Sequence, residues 1–381
     1  MRIEIKQVAE ALSAVQEGLL VDSPQRERLL SAAEMLSKRA VLLVGPRGTG
    51  KTTFALNYLK QLPDRYFYVS LDNPLMAGSS LLELGDWVFK NGYDVLICDE
   101  VDCNPHAAGD LKALYDKYAH QKIWALGNLG TGFSKDFWVQ ECSYLSFREF
   151  IWLKRGVVLP QVSYEDLVSK DLRPICAEIN QYFWAQGRYV QEEFQNYLKS
   201  GMRPFLSESD YILPSHQMRH VMGYLALSED PEISIEFLFK AWGVSKLTVY
   251  QILDTMQKTG LVNIVRHEDS HKEHSKGAKV FFADPSLYGR LGGILSHVRE
   301  SFFVMQLRQI GKNPVCPKDD KKYDYKIDSQ TFEFYQEGQQ AKKADFVLRQ
   351  DIDTPAKREI PLWLLGVFEA CSNQKRWKLR S

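Results

Sequence analysis

Ala40-Val41-Leu42-Leu43-Val44 running into Gly45-Pro46-Arg47-Gly48-Thr49-Gly50-Lys51-Thr52 decides the reading of this chain. Five consecutive apolar residues predict a strand buried on both faces. The following run has two glycines bracketing four residues and closes on Lys-Thr, the pattern of a phosphate-binding loop. Thr53-Phe54-Ala55-Leu56-Asn57-Tyr58-Leu59 then predicts a helix. In that setting, successive backbone N–H groups point inward as an anion nest at the positive end of the helix dipole. Gly45, Pro46, Arg47, Gly48, Thr49, Gly50, Lys51, Thr52 and Thr53 are therefore the candidate nucleotide contacts, ATP the candidate ligand and Mg²⁺ its companion ion. Lys51 is placed for the β- and γ-phosphates, and the Thr52 hydroxyl for Mg²⁺.

A second strand with a metal-directed acid is required, and Tyr93-Asp94-Val95-Leu96-Ile97-Cys98-Asp99-Glu100 supplies it. Asp99 is the expected Mg²⁺-shell carboxylate and Glu100 the expected base for an attacking water. A third strand, Ile123-Trp124-Ala125-Leu126, ends at Gly127-Asn128. Asn128 is the candidate γ-phosphate sensor, although asparagine is also an ordinary turn former at strand ends.

Working outward, strands at 40–44, 66–71, 93–98, 123–126 and 142–145 alternate with helical stretches. This predicts an α/β fold, a parallel sheet covered by helices on both faces, with nucleotide at the carboxyl ends of the strands. The N-terminal helices and this core are expected over residues 1–155, followed by a helical, aromatic-rich lid over 156–215.

Residues 216–290 read differently. Val249, Ile252, Leu253 and Met256 make one apolar stripe on a helix from Lys246 to Lys258, with Ser245 as cap and Gly243 as turn. Leu261–Val265 and Lys279–Phe282 read as a hairpin, completing a winged helix-turn-helix pattern. Its outward residues, Lys246, Tyr250, Gln251, Asp254 and Lys258, are weakly basic. That favours a packing module over a DNA reader and leaves DNA as the alternative partner. The charge-crowded stretch 267–274 reads as a solvated hairpin tip.

The 48 Lys and Arg balance 48 Asp and Glu in a chain of 381 residues, so no global field drives nucleic-acid or membrane binding. No segment has the length and apolarity of a membrane span, and the six cysteines lack paired spacing. A cytoplasmic protein without structural disulfide or zinc is the expectation.

Taken together these motifs resemble the AAA+-type P-loop ATPases of bacteria and archaea that carry a winged helix and a C-terminal restriction-endonuclease-like domain. The resemblance rests on 45–52, Asp99-Glu100, Leu145-Ser146-Phe147-Arg148-Glu149-Phe150, Phe281-Phe282-Ala283-Asp284-Pro285-Ser286-Leu287 and Ala344-Asp345-Phe346-Val347-Leu348. It implies a slow ATPase acting as a nucleotide-controlled switch with an unidentified protein partner. The alternatives are an ATP-gated nucleic-acid-binding protein or nuclease, and a non-hydrolysing scaffold. It further implies a contact of Pro204 with the nucleotide base, and a nuclease-like domain over 291–381 in which Glu300, Asp345 and Glu369 stand at the family's acid positions. Cys371 stands where that family has Lys, so the domain is expected to be degenerate. The family's Gly-Arg ahead of Leu145 is also missing, as Trp138-Val139-Gln140-Glu141 has no Arg.

Overall fold

The computed structural model describes residues 4–22, 35, 37–59, 65–129, 132–201, 216–232, 234–270, 277–294, 296–317, 322–335, 337–338 and 342–368. The described chain forms two compact units that divide between Ser143 and Tyr144. Pro204, Glu369 and Cys371 lie outside the described residues, as do 271–274 of the stretch 267–274. No helix among the described residues is long and apolar enough to cross a membrane.

The first unit is built on five strands: β1 (Ala40–Val44), β2 (Tyr66–Ser70), β3 (Val95–Asp99), β4 (Lys122–Gly127) and β5 (Trp138–Glu141). They form one sheet in the order β2-β3-β4-β1-β5, and every pairing is parallel. Side chains alternate between two apolar layers. Ala40, Leu42 and Val44 face one with Leu96, Cys98 and Ala125, covered by α1 (Ile5–Asp22), α3 (Leu81–Lys90) and α4 (Ala107–Lys117). Val41 and Leu43 face the other with Ile97, Trp124 and Leu126, under Phe54, Ala55 and Leu56 of α2 (Lys51–Leu59). All five β1 residues are buried, which is why the strand reads as an unbroken apolar run.

The last strand departs from expectation. It lies at Trp138–Glu141, not at 142–145. The polar pair Gln140-Glu141 disguises it, yet Gln140 is buried and its amide donates to the Glu141 carbonyl at 3.0 Å. Pairing persists one residue further, with the Cys142 N–H donating to Val44 O at 2.7 Å, before the chain turns away.

The second unit starts with α5 (Phe147–Arg155), and the run Leu145–Phe150 is its start signal. Ser146 Oγ accepts from Glu149 N at 3.2 Å and Glu149 Oε2 accepts from Ser146 N at 3.2 Å, a reciprocal capping box. Then come α6 (Tyr164–Ser169), α7 (Arg173–Trp184), α8 (Val190–Asn196), α9 (His216–Leu227), α10 (Ile235–Trp242) and α11 (Lys246–Lys258). Gly243, left-handed at φ 64°, ends α10, and Ser245 Oγ caps α11 by accepting from Thr248 N at 3.1 Å. Val249, Leu253 and Met256 are buried, and β6 (Val262–Val265) pairs antiparallel with β7 (Lys279–Phe282).

After α12 (Ser286–Arg290) and α13 (Ser296–Gln309) comes a sheet in the order β11-β10-β9-β8. β8 (Tyr325–Ile327) is antiparallel to β9 (Gln330–Phe334), whereas β10 (Phe346–Arg349) is parallel to both β9 and β11 (Glu359–Pro361). The chain ahead of Glu369 forms a 3₁₀ helix over Leu362–Val367, buried throughout. A short apolar run enclosed on all sides carries no period that separates helix from strand. One apolar core runs through this unit from Tyr144 to Phe368.

Candidate functional site

The parallel register brings the carboxyl ends of β1, β3 and β4 together, since Val44 pairs with Gly127 and Cys98 with Ala125. The loop after β1 is fixed from both sides. Gly45 N donates to Gly127 O at 3.2 Å, and a Cβ on Gly45 would sit 2.0 Å from the Cys142 carbonyl oxygen. Gly48 and Gly50 hold φ of 78° and 84°, the left-handed region that glycine enters without a Cβ clash. Thr49 Oγ1 donates to Pro46 O at 2.9 Å and closes the loop upon itself, while Arg47 and Gly48 at its crest are exposed. Helix α2 begins at Lys51, with Phe54 N donating to Gly50 O at 2.8 Å. Thr53 is half-buried on its first turn.

Lys51 is buried, and its Nζ donates to Gly45 O at 2.8 Å, Pro46 O at 3.0 Å and Asn128 Oδ1 at 3.4 Å. Burial lowers its pKa below the usual lysine value, against the opposing pull of Cys142, Glu100, Asp99 and Asp102. Asp99 is also buried, and both of its oxygens are used. Oδ2 accepts from the Thr52 hydroxyl and, at 3.0 Å, from the Tyr68 hydroxyl; Oδ1 accepts from Glu100 N at 2.8 Å. Burial, reinforced by Asp99, pushes the Tyr68 phenol far above the ordinary tyrosine range, so it stays a donor. Glu100 is left-handed at φ 49°, and its carboxyl is raised by burial and then by Asp99.

Lys51, Thr52, Asp99, Glu100 and Asn128 are thus gathered at one end of the sheet with Gly45 and Pro46. A hydroxyl touching a carboxylate at the start of a helix is the protein half of a Mg²⁺ shell whose other ligands are phosphate oxygens and water. These residues fit the ion.

Sequence reasoning missed two supports. Tyr68, on the neighbouring strand, steadies Asp99. Asp102 Oδ2 accepts from the backbone N–H of Asn128 and, at 3.4 Å, of Leu129, fixing the turn that presents the sensor candidate. Neither role has a local signal, as both depend on which strands are adjacent.

Two substitutions probe this geometry. Lys51→Met is expected to weaken ATP binding by about 10- to 100-fold, the value of charge-assisted bonds to phosphate. It should not lower the melting temperature. A lysine whose pKa falls on folding carries its charge at a cost near neutral pH, and methionine removes that cost. Calorimetric titration and thermal unfolding of one sample check both halves, and a clear drop in melting temperature contradicts the second. Asp102→Ala frees two backbone N–H groups, at about 1 kcal/mol each. It is expected to slow turnover about as much as Asn128→Ala does, and the double variant to be no slower than either, measured by steady-state phosphate release.

Of the nuclease-like acids, Glu300 and Asp345 lie among the described residues, and each has hydrogen-bond partners of its own. Glu300 on α13 accepts from the Tyr325 hydroxyl at 2.5 Å and from Lys279 Nζ at 3.5 Å. Asp345 accepts from Thr331 N at 2.8 Å and Thr331 Oγ1 at 2.7 Å, at the start of β9. Among the described residues, no group of three His, Cys, Asp or Glu side chains is arranged to hold a metal.

Residues 37–137 match the family model described as an AAA domain. The match supports an AAA-type P-loop ATPase module over this stretch, with the ATP binding such modules carry. Solved structures similar to the chain include a Walker-type ATPase of Pyrococcus abyssi, 12% identical, with a TM-score of 0.37 over 68% of this chain and 93% of that one. A RuvB variant of Thermotoga maritima is 16% identical, with a TM-score of 0.29 over 73% of this chain and 93% of its own. A search of the curated proteins returns no match.

Proposed function

We propose that this chain binds ATP with Mg²⁺ on the loop 45–52 and hydrolyses it slowly, as a nucleotide-controlled switch. The observation that carries the reading is the contact of the Thr52 hydroxyl with the Asp99 carboxylate beside the buried Lys51. Lys51 turns from the Gly45 and Pro46 carbonyls to the phosphates, and Asn128, already within reach of Lys51, reads the terminal one. Thr52 and Asp99 hold Mg²⁺, which supplies neutralisation of the phosphate oxygens. Glu100 accepts the proton of the attacking water. Slowness follows from the lack of an arginine in Trp138–Glu141, where the resembled family has one.

The helix pair α10–α11 with the β6–β7 hairpin is read as a winged helix packing within its unit. Lys240 pairs with Glu236 at 2.8 Å and Lys258 with Asp254 at 2.7 Å on the same helices, which removes much of the charge a DNA reader would spend on phosphates. The C-terminal part is read as a degenerate nuclease fold, given the structural hydrogen bonds of Glu300 and Asp345.

The test is the steady-state ATPase rate of the wild type and Glu100→Gln, with and without duplex and single-stranded DNA. A Glu100-dependent rate indifferent to DNA supports the switch. A rate that rises with DNA moves the reading to a nucleic-acid-coupled ATPase, and no rate above the variant leaves a scaffold.

A further inference from the structure

We infer that the α5/α7–α8 surface of the second unit binds a single-stranded nucleic acid, through three cations gathered on one buried acid and two exposed aromatic rings. Glu193, in the first turn of α8, is buried and accepts from Lys154 Nζ at 2.8 Å and Arg155 Nη2 at 2.5 Å, both from the end of α5. Arg188 Nη1 lies 3.6 Å from the same carboxylate and makes no hydrogen bond among the described residues. Burial alone would raise the Glu193 carboxyl, but the hydrogen bonds from Lys154 and Arg155 outweigh it and hold the group below the usual range. The ionised acid therefore holds the three cations together and offsets one of their charges. Counting the exposed Glu192 beside it, three positive charges face two negative ones, a local surplus in a chain whose formal net charge is zero.

The side chains of Lys154, Arg155 and Arg188 remain 36%, 24% and 38% exposed, although Arg188 Nη1 itself is buried. The turn carrying Arg188 is built to hold its shape. Buried Phe183 anchors it, and its carbonyl accepts from Gln186 N and Arg188 N, each at 3.0 Å, around the left-handed Gly187. The two ends of this turn are Trp184 and Tyr189, each 54% exposed.

Two exposed rings beside a cluster in which three cations share one buried acid suit a strand whose bases stack while its phosphates meet the surplus positive charge. An acidic peptide would use the cations and leave the rings unexplained. The contrast with α10 and α11 is direct, since two lysines there are paired by acids of their own helix.

The experiment is fluorescence anisotropy of a labelled oligo-dT with the full chain, without nucleotide, so that its outcome is separate from that of the ATPase reading. Wild type is expected to bind, with affinity falling steeply with salt. Trp184→Ala/Tyr189→Ala is expected to lose at least about tenfold in affinity, the scale of base stacking. Its far-UV spectrum and ATP turnover should be unchanged. Arg188→Gln leaves Lys154 and Arg155 on Glu193, and is expected to reduce the log–log salt slope by about 0.7. Absence of oligo-dT binding, or equal affinity in the aromatic double variant, overturns the proposal. Equal displacement of the probe by polyglutamate overturns it in favour of an acidic protein partner.

Discussion

Gly45→Ala is expected to abolish ATP binding and to cost about 3 kcal/mol or more of stability, beyond the usual range for an added methyl. The new Cβ would lie 2.0 Å from the Cys142 oxygen and 2.8 Å from its carbonyl carbon. Both are backbone atoms, so no rotamer relieves the clash. Neither partner is free to retreat. Cys142 is tied back to β1 through its N–H to Val44 O at 2.7 Å, and Gly45 is tied to β4 through its own N–H to Gly127 O at 3.2 Å. The methyl must therefore part β1 from β5 or lift the phosphate loop off the sheet. Gly48→Ala is the control. It sits exposed at the loop crest with a left-handed φ of 78°, which costs a residue with a Cβ about 1 kcal/mol. Thermal unfolding and calorimetric ATP titration of both variants separate close approach from backbone strain. Wild-type behaviour of Gly45→Ala would refute the proposed fit of loop against strand.

The physics that fixes Gly45 also explains what could be read ahead of the structure. β1, β3 and β4 are covered on both faces, so burial writes itself into the sequence as unbroken apolar runs, and the site residues follow from where those runs stop. Edge strand β5 lacks that signature, because Gln140 and Glu141 interrupt it and only its pairing with β1, from Val41–Trp138 to Val44–Glu141, reveals it. Tyr68 and Asp102 are likewise silent. The first acts through the adjacency of β2 to β3, and the second across to the end of β4. In the second unit the local signals at Ser146, Gly243 and Ser245 each mark a helix end, whereas the role of Glu300 is set by Tyr325 on a strand far along the chain. Capping and turn chemistry are local and legible. Contacts made by tertiary packing are not.

Glu100→Gln is expected to reduce ATP turnover by about 10²- to 10⁴-fold, the usual contribution of a positioned general base, with ATP affinity left near the wild-type value. The split between rate and binding follows from the geometry. Asp99 spends both oxygens on Thr52, Tyr68 and the Glu100 N–H, so the metal-directed acid is held by its neighbours whatever the Glu100 side chain carries. Glutamine matches glutamate in size and meets the same left-handed backbone at φ 49°, so the substitution removes a charge without relieving or adding strain. What is lost is the proton acceptor. Burial and the adjacent Asp99 raise the Glu100 carboxyl above the ordinary range, which strengthens it as a base once ionised. Removing a negative charge beside the phosphates also favours nucleotide binding, so affinity should hold or improve. Single-turnover hydrolysis alongside equilibrium ATP binding resolves the two effects. Loss of binding in step with rate would make Glu100 part of the nucleotide cradle, and an unchanged rate would leave the water without its proposed base.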